Sequence, residues 1–232
     1  SKIHNGDDRG WAGKVQLTNS KLLRPAKNLQ LNTTLDYEYV QRKFRPLERL
    51  RTVEFSRDWG LPLLIKPVDE NIIRASANLR DKRNHSFAYQ ATSYTRSDDY
   101  KGFQNAVSHL AAWKGWQFNN QLVITHFNAS ATKGLFLRPS FDLSKQLKQI
   151  NNWRVGVKYS LEQNAIRNKT TDTLTFDAFN FDIISAYLKS NEALKNRYGI
   201  TFFSRSDKYQ VGKDFIRGDR SLNLNLQAEL LA

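Results

Sequence analysis

The chain has 232 residues, 40% of them apolar, with no Cys and no Met, and a formal charge of +14 from 36 Lys and Arg against 22 Asp and Glu. That length suits one large all-β domain or two small ones, and the apolar share excludes a disordered composition. The lack of Cys excludes disulfides and thiolate metal sites, and no run approaches 18 apolar residues, so a transmembrane helix is excluded while a transmembrane barrel is not.

The chain opens on "SKIHNGDDRGW", which reads as a loop over 1–10. A noisy two-residue period over 12–20 predicts a first strand. The next is clearer. In "NLQLNTTLDYEYV", Leu29, Leu31, Thr33, Leu35, Tyr37 and Tyr39 share one face. "RPLERLR" over 45–51 is a weak helical segment, too short to stand alone. Noisier strands are expected over 51–59, 71–80, 85–97, 103–113, 116–130 and 134–145. They are separated by turn-rich breaks such as "RDKRNH", "SDDYKG", "WKGW" and "NASATKG". "SKQLKQI" over 144–150 is a second weak helical segment.

Alternation then sharpens. Trp153, Val155, Val157, Tyr159 and Leu161 share a face, as do Phe179, Phe181, Ile183, Ser185 and Tyr187, and then Tyr198, Ile200 and Phe202. Breaks are expected at 189–197 and 205–214. The chain closes on "SLNLNLQAELLA", with Leu222, Leu224, Leu226, Ala228 and Leu230 on one side. The count is on the order of ten to twelve sequential strands. We expect a single all-β domain over 1–232, an antiparallel barrel of sequential hairpins or a segment of a larger one. The missing Met and the Leu-Leu-Ala end point toward a piece of something longer.

A long-stranded soluble sheet or sandwich also alternates apolar and polar residues, and it stands as the alternative. Three features favour lipid. Alternation runs for ten residues or more, while soluble strands usually span about five or six. Tyr and Trp fall near stripe ends, as interfacial girdles require. The opposite faces carry Asn, Gln, Ser, Thr and mixed charges, as a wet lumen would.

The stretch "LERLRTVEFSRDWGLP" over 47–62 resembles segments of very large outer-membrane barrels of Bacteroidota. It is similar in particular to the translocon barrel of the type IX secretion system, where an Arg-x-Val-Glu-Phe-x-Arg-Asp-Trp run occurs. Here those residues are Arg51, Val53, Glu54, Phe55, Arg57, Asp58 and Trp59. "GKDFIRGDRSLNLNLQAELL" over 212–231 reads in the same way. The resemblance covers a minority of the chain. It implies an outer-membrane location and a role as a conduit or as an export or surface-assembly platform. It carries over no catalytic or binding residue.

Two basic groups are candidates for binding anionic headgroups or an acidic partner: Arg42, Lys43, Arg45, Arg49 and Arg51, and then Arg80, Lys82 and Arg83. A solvated, internally paired loop is the competing reading of the first group. Interfacial aromatic candidates are Tyr37, Tyr39, Trp113, Trp116, Trp153, Tyr159 and Tyr198. His4, His85, His109 and His126 lack metal-ligand spacing, and no nucleophile elbow or phosphate loop occurs. We therefore expect no enzyme, no metal and no cofactor. The expected partners are a lipid bilayer with lipopolysaccharide or another anionic surface, and other outer-membrane or secretion proteins. Nucleic acid is not expected. Under the soluble alternative the chain is a periplasmic or surface β domain that binds an anionic ligand or protein.

Overall fold

A computed structural model describes residues 10–44, 52–61, 67–83, 85–191 and 196–229. Eleven strands form one antiparallel sheet in sequence order. They are β1 (Ala12–Arg24), β2 (Leu29–Val40), β3 (Glu70–Arg80), β4 (Ser86–Arg96), β5 (Lys101–Trp113), β6 (Trp116–Asn128), β7 (Thr132–Leu147), β8 (Trp153–Asn168), β9 (Phe179–Lys189), β10 (Arg197–Val211) and β11 (Asp214–Glu229). All have 11 residues or more, beyond the usual length of soluble strands. Among the described residues, β1 and β11 are hydrogen-bonded on one side only, so the sheet is not closed.

The connection between β2 and β3 carries a short helix, α1 (Val53–Asp58). This corrects the strand expected over 51–59. Thr52 caps the helix, its side chain accepting from the Phe55 N–H at 3.1 Å. Glu54 in the first turn and Arg57 in the last suit the helix dipole. The helical reading of 144–150 is also corrected: β7 runs on to Leu147 before a turn. The break expected over 205–214 shrinks to Gly212–Lys213, because β10 and β11 keep pairing up to Val211 and Asp214. The helical segment expected over 45–51 and the loop expected over 1–10 lie outside the described residues, save Gly10.

The two faces of the sheet differ in chemistry. One buries polar residues, Asp36, Thr92, Thr125, Ser144 and Asn164, together with an apolar cluster of Ile72, Tyr94, Phe127, Phe136 and Ile166. This face is concave, because eight consecutive strands, β3 to β10, line one cavity of about 910 Å³ on it. The other, convex face is apolar and uncovered. Leu35, Ile73, Tyr89, Phe103, Phe141, Val157, Ile184, Ile200, Phe202, Leu222, Leu224 and Leu226 are all exposed on it. A soluble sheet covers an apolar face of this extent, whereas here it is left open.

The apolar residues also follow a slanted path. Directly paired residues form rows perpendicular to the strands. One convex row reads Leu35, Ala75, Ala91, Asn105, Ile124, Leu137, Gln163, Asn180 and Lys208 from β2 to β10. It starts apolar and ends polar. The apolar stretches leave this row steadily. They centre on Leu35 in β2, Tyr89 in β4, Val107 in β5, Val157 in β8 and Ile200 in β10. Val157 lies six residues from Gln163, six strands on from β2. Ile200 lies eight residues from Lys208, eight strands on. Averaged from β2 to β10, the band thus shifts by about one residue per strand. With a rise of about 3.3 Å per residue and about 4.8 Å between strands, that is a slant of roughly 35°.

The two ends of the sheet are distinct. α1 and the turns leading into β5, β7, β9 and β11 lie at one end. The turns leading into β2, β4, β6, β8 and β10 lie at the other, together with Trp113, Trp116 and Trp153. These are called below the α1 end and the tryptophan end.

Phe179, Phe181, Ile183, Ser185 and Tyr187 do share a face, but it is the concave one. The convex residues of β9 are Ile184, Ala186 and Leu188, paired with Tyr159, Val157 and Val155.

Candidate functional site

The concave face holds a polar trough with a different structure at each end. At the α1 end, the chain after α1 seats Trp59 against the sheet. Trp59 is buried, and its ring packs edge-on to Tyr94 at 5.3 Å. Tyr94, Tyr100, Phe127 and Phe136 continue the aromatic chain, with ring centres 5.4 to 5.6 Å apart. The Tyr100 hydroxyl donates to the Trp59 carbonyl at 2.5 Å. Burial, with Tyr94 alongside, pushes the Tyr100 phenol above its ordinary range, and Arg96 opposes the shift. Gly102 makes the approach possible: a Cβ there would stand 2.8 Å from the Trp59 ring.

Ion pairs hold α1 over the trough. The Arg138 guanidinium, on β7, meets Asp58 at 2.5 Å and Glu162 at 3.4 Å, and donates to the Asn164 side chain at 3.1 Å. Arg57 reaches Glu162 at 4.0 Å. Farther along, Arg205 pairs with Asp207 at 2.7 Å and lies over the Phe181 ring at 3.9 Å. On the β1–β3 side, Asp36 is held by Lys14 at 2.8 Å and Arg74 at 3.1 Å. The run Arg57, Asp58 and Trp59, quoted above for its resemblance to secretion barrels, is therefore the segment that fastens α1 to the concave wall.

At the tryptophan end, a cavity of about 620 Å³ opens among β7 to β11. Arg154, Lys158, Lys189 and Arg197 line it with two acids, Asp142 and Glu229. Both acids are engaged. Asp142 accepts from the Tyr187 hydroxyl at 2.8 Å, and Glu229 meets Arg197 at 3.5 Å.

The convex rim of the same end carries aromatic residues and cations together. Trp113 and Trp116 face each other across the β5–β6 hairpin. Lys114 lies over the Trp113 ring and Lys145 over the Trp116 ring, each at 5.0 Å. Trp153 pairs with Leu147, and Tyr198 with Ala228. Tyr37 and Tyr39 sit on the convex face toward the α1 end of β2. Tyr159 does not belong to either rim. It lies mid-strand between Phe141 and Ile184, because β8 extends to Asn168.

The predicted basic groups are not brought together. Arg42 and Lys43 follow β2 at the α1 end, where the Arg42 backbone N–H donates to Asp69 at 2.8 Å. Arg80, Lys82 and Arg83 lie at the tryptophan end of β3, about eleven residues of strand away. Arg45, Arg49 and Arg51 lie outside the described residues. Sequence reading missed the cavity cations, since Arg154, Lys158, Lys189 and Arg197 come from three strands and meet only through their register.

Some polar residues inside the apolar band meet polar neighbours. Asn105 accepts from the Tyr89 hydroxyl at 2.6 Å, and His109 lies 3.5 Å from the Asn120 side chain. No group of three or more His, Cys, Asp or Glu residues suited to a metal ion occurs among the described residues.

Comparison with models of protein families, with curated proteins and with solved structures finds no match.

Proposed function

We propose that this chain forms a wall of an outer-membrane β-barrel, and that the barrel acts as a conduit or as an export or surface-assembly platform. The one-residue-per-strand slant of the convex apolar band carries the reading. Barrel strands tilt by about 35–45° from the barrel axis, so a level lipid slab crosses them on a slant of that size. A soluble barrel tilts its strands too but turns its apolar residues inward, whereas this slanted band lies exposed on the convex face. The uncovered convex face, the polar concave face and strands of 11 residues or more support the same reading.

Lipid offers no hydrogen-bond partner to a sheet edge. The free edges of β1 and β11 are therefore completed by further strands in the membrane. The tryptophan end sits among anionic headgroups, of lipopolysaccharide or another acidic lipid. There Trp113, Trp116 and Trp153 settle at the interface, with Lys114 and Lys145 beside the phosphates. α1 occupies the trough as an internal plug. The role in export or assembly follows from the resemblance of 47–62.

Fractionation tests the reading. The protein should stay with membranes through an alkaline carbonate wash and enter solution only with detergent. Solubility at milligram concentrations without detergent would sink it.

A further inference from the structure

We propose that the tryptophan-end cavity is a binding site for a water-borne phosphorylated ligand, held by Arg154, Lys158 and Lys189. This goes beyond the barrel reading and does not depend on it. Arg154 and Lys189 are directly paired across β8 and β9. Like charges placed directly opposite destabilise a sheet, so the pair costs stability in the empty protein. Lys158 stands on the same concave side of β8, four residues from Arg154. Two acids share the cavity: Asp142, directly opposite Lys158 across β7 and β8, accepts from the Tyr187 hydroxyl, and Glu229 meets Arg197, so the Arg154–Lys189 pair is the like-charged contact without an acid directly opposite it. Among the described residues, Arg197 is the one cavity cation in an ion pair.

The floor is shaped for the purpose. A Cβ at Gly156 would stand 2.3 Å from the Tyr187 ring, so glycine alone lets that ring lie against the strand between Arg154 and Lys158. Lys189 lies over the same ring at 5.2 Å. Three cations thus line one cavity around this floor, and the Arg154 fork offers paired donors that suit phosphate oxygens. The concave face is turned away from the apolar one, so the ligand arrives through water rather than from the bilayer.

The test is calorimetric titration of the purified, folded protein with inorganic pyrophosphate. Wild type should give saturable one-to-one binding. Arg154→Gln and Lys158→Gln should each weaken it about ten- to hundredfold, the loss expected for a charge-assisted hydrogen bond. Lys169→Gln, in the loop at the α1 end, should leave it unchanged. Without pyrophosphate, Arg154→Gln should be at least as stable as wild type, because Lys189 loses its like-charged neighbour. That separates lost binding from lost folding. Absence of saturable binding in wild type, or binding in both cavity variants as tight as in wild type, would overturn the proposal. The titration reads the same in detergent or in plain buffer, so its failure is distinct from failure of the membrane reading.

Discussion

Arginine at Val157 separates lipid from water on the convex face. Val157 is the centre of the apolar stretch of β8, and 54% of its surface is exposed. If that surface meets water, Val157→Arg is a surface change and should fall within about ±0.5 kcal/mol. If it meets lipid, the same change puts a charge at the midplane and costs about 2–4 kcal/mol. The slant supplies an internal control. A strand tilted by roughly 35° climbs about 2.7 Å per residue along the membrane normal. Leu161, four residues on and on the same face, then lies about 11 Å from the midplane. That is close to the edge of an apolar band about 25 Å tall, where Arg costs about 0–1 kcal/mol. The assay is reversible denaturant unfolding in lipid vesicles, with refolding checked by circular dichroism. Equal costs at the two positions, or no cost at Val157, would refute the reasoning.

Trp59→Ala should cost about 3–5 kcal/mol, as for other large buried aromatics, and should loosen α1 from the wall. Trypsin should then cut after Arg57 faster than in wild type, and unchanged cutting would contradict the plug. Tyr100→Phe should cost about 1–3 kcal/mol in the same unfolding assay, because the buried Trp59 carbonyl loses its donor. Asp172, in the loop before β9, is held below its ordinary value of 3.8, first by its hydrogen bond with Lys133 and the charge of that residue, then by the charges of Lys213 and Arg167. A lowered carboxyl value means that its pairing is complete above the ordinary value and is lost as pH falls through the lowered one. Lys133→Gln should therefore move the Asp172 titration upward, as read by carboxyl-carbon NMR, and an unmoved titration would count against the pair.

Much of the sheet was legible in the residues, because a period of two states which side chains share a face. It held for Leu31, Leu35 and Tyr37 and for Val155, Val157 and Tyr159. It does not state which medium each face meets. Phe179, Phe181 and Ile183 look like an apolar stripe, yet they point into the trough, where Arg205 covers the Phe181 ring. α1 was hidden for another reason. Six residues are too few to display a helical period, and the Thr52 cap was its local signal. The tryptophan-end cavity was invisible because it depends on register: only the pairing of Arg154 with Lys189 shows that residues 35 apart in sequence are neighbours. Register also revealed the slant, since no single strand contains it.

Depth along the convex face tests the central claim most directly. Nitroxide labels would be placed singly at Leu35, Tyr89, Val157 and Ile200, and at Gln163 and Lys208, in protein reconstituted into vesicles. Collision with oxygen and with a polar nickel chelate then gives the depth of each. The account predicts that the first four share one depth near the bilayer centre, although they lie on different hydrogen-bonded rows. Gln163 and Lys208 should lie shallow or in water, although they share the row of Leu35. Depths that follow the rows instead of the slant, or labels at Val157 and Ile200 that are open to the nickel chelate, would contradict it.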